Sequence, residues 1–415
     1  MRAAGPVTPQ ARASRSRASQ SRPSQSRPSQ ARPSRAKAAA RPSVAAGQRS
    51  LLFISLLVMV STLVVLGLVM VLSASAVVSI KHSGNAWSEF NRQARSAAAG
   101  LVLMFVAIRI DYHHWRTLAV PAVVGSLMAL ALLAVPGLGI NQNNATRWLD
   151  IGVISFQPSE VAKLALLFFA ADFLSRPRRD VRNARSTLVP VLACTALFAV
   201  LIMLQPHFGN TLILGVIALT MLFWAGTPIR LLSATAFVGV SLAGLVVWST
   251  AWRRQRLLSV FDPWSDPGGD SFQLLQSLHA ITVGGIRGTG IGDGLAKWGF
   301  VPFAHSDFIF AVVGEEFGLF AGLTIVAVFA FVVLRGFYRM LQERNVFILL
   351  ATGGLLVQFG AQAIVNMGVN TRLLPAKGMT LPFISYGGSS LFALALTMGM
   401  VLALTRRRSG RGAAV

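Results

Sequence analysis

Charge is scarce in this sequence: only 13% of its 415 residues are Asp, Glu, Lys or Arg. A soluble domain carries about a quarter, so too little polar surface exists to wet a globule of this length, and a soluble protein is excluded. Cysteine occurs once, as Cys194 inside an apolar stretch, which excludes an intramolecular disulfide. The alternating pattern of a membrane β-barrel is missing. So are the internal inverted repeats and paired broken helices that many transporters carry. No small-residue cleavage site follows the first apolar run, so that run does not read as a removable leader.

What is present is apolar: 54% of residues are hydrophobic and mean hydropathy is +0.61. Residues 51–73, 119–136, 187–204, 209–225, 229–250, 308–334, 346–369 and 391–405 are each long enough, or nearly so, to cross a hydrocarbon core of about 30 Å. Two weaker stretches, 96–110 and 158–174, carry occasional charges. The expected fold is all-α and integral to the membrane, with about ten transmembrane helices and a long extracytoplasmic loop before helix 8.

Of the formal net charge of +24, residues 1–50 supply eleven Lys or Arg and no acid. The units Ser21-Arg22-Pro23-Ser24-Gln25 and Ser26-Arg27-Pro28-Ser29-Gln30 repeat there. Such a composition cannot bury enough apolar area to fold. Residues 1–48 therefore read as a disordered basic cytoplasmic tail suited to anionic lipid. Residues 49–405 read as a polytopic membrane domain, and 406–415 as a second basic tail. No folded nucleic-acid reader accompanies either tail, so no nucleic-acid partner is expected.

Orientation follows from Lys and Arg in short loops. Arg176, Arg178, Arg179, Arg182 and Arg185 crowd one connection; Arg335, Arg339 and Arg344 occupy another; Arg406, Arg407, Arg408 and Arg411 end the chain. Ten crossings from a cytoplasmic amino terminus put all three clusters in the cytoplasm, with both termini. Segments 137–157, about 251–306 and 370–386 then face outward. Arg253, Arg254 and Arg256 stand outside against the rule, in a long loop where the rule is weak. That loop also holds Gly288-Thr289-Gly290-Ile291-Gly292, which lacks the preceding strand and the Lys-Ser/Thr of a phosphate-binding loop and reads as turn glycines.

Charges inside membrane spans are costly and by default mark function. Three groups qualify. The first is Arg147-Trp148, followed by Phe156-Gln157-Pro158-Ser159-Glu160 and Lys163, with Pro158 suited to a first helical turn. Glu160 and Lys163, three residues apart, share one face of that helix, at an outer end where losing one charge should cost little stability. The second is His305-Ser306-Asp307 at the start of the eighth span, with Glu315 and Glu316 expected about 12 Å deeper on the same helix and in need of partners. The third runs from Leu374-Pro375-Ala376-Lys377-Gly378 through Leu381-Pro382-Phe383-Ile384-Ser385-Tyr386-Gly387-Gly388-Ser389-Ser390. Its prolines, glycines and hydroxyls mean broken helix lining a protein-walled or wet cavity.

These runs resemble the signatures of the SEDS (shape, elongation, division and sporulation) glycosyltransferases, and the resemblance covers nearly all of residues 50–408. Pro382-Phe383-Ile384-Ser385-Tyr386 is more similar to the division branch than to the elongation branch. The resemblance implies peptidoglycan synthesis: lipid II polymerised at the outer face of a bacterial cytoplasmic membrane, at the division septum. It implies a class B penicillin-binding transpeptidase and other divisome membrane proteins as partners.

A sugar on polyprenyl pyrophosphate already has a good leaving group, so the second carboxylic acid of glycosidases is not obligatory. One base and cations for the departing charge remain. Asp307 matches the family's essential aspartate and is the expected base. Arg147 and Lys163 are expected to hold pyrophosphate, Glu160 to fix Lys163, and Lys377 and Ser389 to line the same cavity. No cofactor is assigned; a divalent cation stays open, with no ligands assigned. Three positions depart from the family pattern. Phe303 stands where an acid is usual, His207 follows Gln205-Pro206 in place of Asp, and Ser306 replaces Thr. On physics alone, a lipid II flippase and a non-catalytic division scaffold stay open as other classes.

Overall fold

The computed structural model describes residues 46–133, 135, 139–142, 145–150, 155–176, 184–269 and 271–406. The basic tails expected at 1–48 and 406–415 lie almost wholly outside these. Apolar sequence in lipid must satisfy its own backbone, and helix is the result. In chain order the helices are α1 (Ala46–Ser83), α2 (Ser88–Arg109), α3 (Tyr112–Thr117), α4 (Ala119–Leu132), α5 (Pro158–Leu174), α6 (Val189–Met203) and α7 (Phe208–Trp224). They continue with α8 (Ile229–Trp248), α9 (Ala251–Leu258), α10 (Phe272–Gly284), α11 (Ile309–Met340), α12 (Val346–Asn370) and α13 (Gly388–Arg406). The fold is an all-α integral membrane bundle.

Five segments, Leu51–Ser83, Ser186–Met203, Ile229–Trp248, Ile309–Met340 and Val346–Asn370, are long and apolar enough to cross a membrane. Ala119–Leu132, Phe208–Trp224 and Gly388–Leu404 are shorter apolar helices. The two weaker stretches, expected among the spans, form α2 and α5. Pro158 opens α5, as its fixed φ favours, and nearly every residue of that helix is buried. α12 is the other central helix, packed on α5, α7, α11 and α13. α8 is its opposite, a helix with no buried residue that packs mainly on α7 and α9.

The outer connections are built, not merely long. Three short strands, β1 (Gly139–Gln142), β2 (Ala145–Asp150) and β3 (Ser155–Phe156), form an antiparallel sheet in the order β1-β2-β3. The sequence had this segment as plain loop. The loop before α11 contains α9, α10 and a 3-10 turn at Ala296–Trp298.

α11 is two helical pieces. Gly318 has φ +77° and ψ −171°, a conformation open only to glycine at low cost. A Cβ there would strike the backbone at Ile286–Gly288. Leu319 N–H bonds the Gly285 carbonyl across the break at 2.9 Å. Residues 319–340 alone give about 33 Å of helix, enough for the hydrocarbon core. Glu315 and Glu316 therefore lie on the outer piece, before the break, and not two turns down a continuous span that starts at Asp307. They are braces. The Glu315 carboxylate accepts from Leu295 N at 2.7 Å and Ala296 N at 3.0 Å. Glu316 accepts from Ser73 Oγ at 2.6 Å and Lys297 Nζ at 3.3 Å. Backbone carbonyls of the same two residues receive Thr289 N and Gly290 N, so the glycine series serves as a turn against α11.

Candidate active site at the outer end

The outer end, named from the placement of the basic loops, is where the three sequence groups meet. Asp307 sits in a turn, because helix α11 begins only at Ile309. Phe303 takes a left-handed φ of 57°, and its carbonyl receives the N–H groups of Ser306, Asp307 and Phe308. A bulky residue in that region is strained, a cost tolerated where surrounding structure over-determines it. Here the surroundings are explicit. Ser385 Oγ donates to the Ser306 carbonyl at 2.6 Å and accepts from Leu381 N at 2.7 Å. Tyr386 N bonds the His305 carbonyl at 2.9 Å, with the two rings edge to face at 5.5 Å. From α2, buried Gln93 bonds the Ser385 carbonyl and the Gly387 N–H.

Two amides of α12 hold the turn from below. Asn366 Nδ2 reaches the Asp307 carbonyl at 2.8 Å and the Met379 carbonyl at 2.6 Å. Asn370 Nδ2 reaches the Asp307 carbonyl at 3.0 Å, and its Oδ1 takes the Ala311 N–H. Residues 358, 362, 366 and 370 are Gln, Gln, Asn and Asn, all with 2% exposure or less. Spaced by four, they form one stripe on the helix. Sequence reasoning missed Gln93, Gln362, Asn366 and Asn370. The four-residue spacing of amides in an apolar span was the available signal.

The carboxylate of Asp307 is half-buried. Gly378 lies against it: a Cβ on that glycine would stand 3.0 Å from Asp307 Oδ2. Burial pushes the carboxyl up to about 7, against the opposing pull of Arg147 and then Arg256. Lys377, whose Nζ sits 3.5 Å over the Phe208 ring, is pushed down to about 7 by burial, helped by Arg253 and Arg256. Arg147 is lowered by burial and supported by Asp307. Its Nε and Nη2 bond the carbonyls of Gln205 and Pro206 at 3.1 and 3.0 Å, so it also ties β2 to the α6–α7 turn. His207 is driven to about 3 by burial, with Arg147, Lys163 and Lys377 reinforcing. It is neutral, where an aspartate is usual.

Asp307 and Arg147 thus act on each other, and Lys377 neighbours the glycine that packs on the Asp307 carboxylate. Glu160 and Lys163 are placed differently from the expected outer surface. Lys163 has no exposure at all. Its Nζ bonds Glu160 Oε1 at 2.8 Å and reaches Asn210 Oδ1 and Gln362 Oε1 at 3.5 Å. Gln362 continues the network to Thr380 and Ser390. The three-residue spacing delivered the pair, but α5 is central, so the pair is enclosed and removing one charge is no longer cheap. Ser389 is buried in the first turn of α13, and its hydroxyl has no hydrogen-bond partner; Ser390 is the serine joined to the network. Among the described residues, no group of three or more His, Cys, Asp or Glu side chains converges as a metal site would require.

Fold and site together define a polytopic membrane enzyme with one elevated carboxylate under a cluster of cations. A model of the FtsW, RodA and SpoVE family, described as cell cycle protein, matches residues 53–410, and the chain belongs to that family. It is 39% identical over 355 residues, 86% of this chain and 95% of the relative, to a protein of Geobacter metallireducens described as "Probable peptidoglycan glycosyltransferase FtsW". Stage V sporulation protein E of Bacillus subtilis is 35% identical, over 85% of this chain and 96% of its own. Among solved structures, a chain of a peptidoglycan synthase complex described as coordinating polymerization and crosslinking superposes with TM-score 0.70 and 31% identity, covering 85% of this chain and 96% of that one. The rod shape determining protein RodA of Thermus thermophilus gives 0.64 at 28% identity, covering 86% and 97%.

Proposed function

We propose that this peptidoglycan glycosyltransferase polymerises lipid II, with Asp307 as the general base. The hydroxyl of an acceptor sugar attacks the anomeric carbon of a sugar on polyprenyl pyrophosphate. The new carbon–oxygen bond forms as the bond to the pyrophosphate oxygen breaks. The hydroxyl proton passes to Asp307, and pyrophosphate leaves with its electron pair on the lipid. The observation that carries the reading is the half-buried Asp307 carboxylate, packed against Gly378 of the broken-helix segment, facing the charge of Arg147 and raised to about 7. A base is most effective when its pKa lies near the working pH, and cations fixed around the leaving oxygen need no reorganisation as charge develops. Arg147 and Lys377 meet the departing pyrophosphate. Glu160 and Lys163 act one layer down, through Gln362 and Thr380, as positioning residues for the 377–390 segment, and Ser389 lies in that layer.

The same reading places the chain in a bacterial cytoplasmic membrane with ten crossings, both termini cytoplasmic and the site outward, working at the septum. Its domains are the basic tail to residue 48, the membrane domain 49–405 and the tail 406–415. The amino-terminal tail meets anionic lipid. A class B penicillin-binding transpeptidase is the partner, alongside other divisome membrane proteins; the solved synthase complex that joins polymerization to crosslinking supports this pairing. The test is purified protein with that partner and labelled lipid II. Glycan strands resolved by gel are expected. Outward movement of lipid II across vesicles without polymer would favour a flippase instead.

A further inference from the structure

The buried face of α2 consists of Gln93, Ala97, Gly100, Met104, Ala107 and Ile108. Five of these six are apolar or glycine; Gln93, at the outer end, is only 2% exposed. The rest of α2 is closed against α13. A Cβ on Gly388 would stand 3.0 Å from Ser96 Oγ, and one on Gly399 would strike Ala107 and Met104. A buried amide is costly unless its donor and its acceptor both find partners. Gln93 satisfies both on one short stretch of chain. Its Nε2 donates to the Ser385 carbonyl at 3.2 Å, and its Oε1 accepts from the Gly387 N–H at 3.2 Å.

Those two bonds fix a pair of peptide planes. The Ser385 carbonyl and the Tyr386 N–H belong to one planar unit and point to opposite sides of it. Gln93 holds the carbonyl side, and the N–H side donates to the His305 carbonyl at 2.9 Å. The Gly387 N–H lies on the next plane, so Gln93 clamps the backbone on both sides of Tyr386. From the same stretch, Ser385 Oγ donates to the Ser306 carbonyl at 2.6 Å. The carbonyls of His305 and Ser306, the two residues before Asp307, are thus held by residues whose backbone Gln93 sets. Both stretches are bent against preference, with left-handed φ values of 57° at Phe303 and 65° at Phe383. A bulky residue keeps such a φ only where its surroundings over-determine it, so losing a brace lets the turn relax.

We infer that Gln93 is a positioning residue for the reaction: through the Ser385–Tyr386 peptide it sets where the turn carries the Asp307 carboxylate. The inference rests on the polymerase reading above, with Asp307 as base. Both bonds of Gln93 go to backbone, so it acts through the segment and not on substrate. Proton transfer needs the carboxylate within hydrogen-bond reach of the acceptor hydroxyl, and a misplacement of about 1 Å can cost about a hundredfold in rate. Arg147 is tied to the α6–α7 turn and lies off this path, so the effect falls on turnover and leaves substrate binding alone.

The experiment uses the full-length protein with its transpeptidase partner and labelled lipid II, with rates taken per folded molecule well below the thermal midpoint. Gln93→Met keeps the length of the side chain and removes both bonds. Its kcat should fall about ten- to a hundredfold while KM for lipid II stays within about twofold. Placed on Asp307→Asn and followed over long incubations, the same substitution should cost nothing further, because no base is left to misplace. Ser385→Ala removes the bond to the Ser306 carbonyl at the other end of the path and should repeat the loss in kcat alone. Combined with Gln93→Met it should lose less than the two separate losses multiplied. A KM that rises with kcat unchanged would make Gln93 a substrate contact. A further loss on the Asp307→Asn background would make it a support of the fold at large, and an unchanged kcat would show the turn placed without it; each overturns the inference. If Gln93→Met fails to fold, Gln93→Glu carries the same test, since it keeps the acceptor for the Gly387 N–H and loses the donor to Ser385. Polymerisation by Asp307→Asn at the parental rate would sink the base reading itself, whereas a normal Gln93→Met beside an impaired Asp307→Asn defeats only the role of Gln93.

Discussion

At the scale of single residues, the site is a balance between burial and charge, and pH exposes it. As the proposed base, Asp307 works deprotonated, and its carboxyl is raised to about 7. Activity should therefore climb as pH rises through neutrality. As a proposed pyrophosphate ligand, Lys377 works protonated, and it is lowered to about 7, so the same rise in pH removes its charge. The product is a narrow bell for kcat/KM centred near neutral pH. Lys377→Arg keeps its charge throughout, so its profile should lose the alkaline limb and hold the acid one, measured as initial glycan synthesis from pH 5 to 9. A variant whose alkaline limb stays in place would take Lys377 out of the site. Lys163 behaves in another way. As a fully enclosed partner of Glu160, its replacement by Ala leaves a buried carboxylate unpaired and should cost about 3–5 kcal/mol, seen as a lower thermal midpoint. Retained stability would mean that the pair is open to water.

Among the elements, α12 is the one that carries function furthest from its own sequence signature. Its length and apolarity make it a membrane span, and only the stripe Gln362, Asn366 and Asn370 reveals that it holds two irregular segments together. Asn366→Leu removes a donor from the carbonyls of Asp307 and Met379. Asn370 still reaches the Asp307 carbonyl, so the Met379 carbonyl is the one left unsatisfied, at a cost of about 1–3 kcal/mol, and the loosened base should lower turnover by about a hundredfold. The measurement is kcat together with thermal midpoint, and undiminished kcat would show that Asp307 is placed without α12. The spans and broken helix at 374–390 were legible in sequence because each is a local pattern of apolar run, proline and glycine. The break in α11 was not, because a glycine in an apolar helix is ordinary until its φ is known. The sheet around Arg147 was also missed, being made of short strands with no alternating apolar face. Asp307, Arg147 and Lys377 were legible as charges out of place. Their meeting is tertiary, as is the enclosure of Lys163, since nothing in the sequence says that α5 is central.

Over the whole molecule, the proposed division is between a membrane enzyme and an amino-terminal basic tail that carries no chemistry. Deleting residues 2–45 should leave glycan synthesis in detergent within about twofold of wild type, since ionic contacts of such a tail add membrane affinity and no chemistry. A correctly inserted truncation without activity would contradict that division. The bundle also shows where activity is set against stability. A carboxyl raised by burial is one whose ionisation the fold opposes, so at pH values above 7 the neutral variant Asp307→Asn should fold at least as stably as the parent. That variant is also the most direct test of the central claim. It keeps volume and hydrogen-bonding capacity and loses only the ability to take a proton. The measurement is polymerisation of labelled lipid II by the purified protein with its transpeptidase partner at pH 7.5. Product should fall by about 10²- to 10⁴-fold while expression, thermal midpoint and partner binding match wild type; glycan strands made at the parental rate would contradict Asp307 as the base.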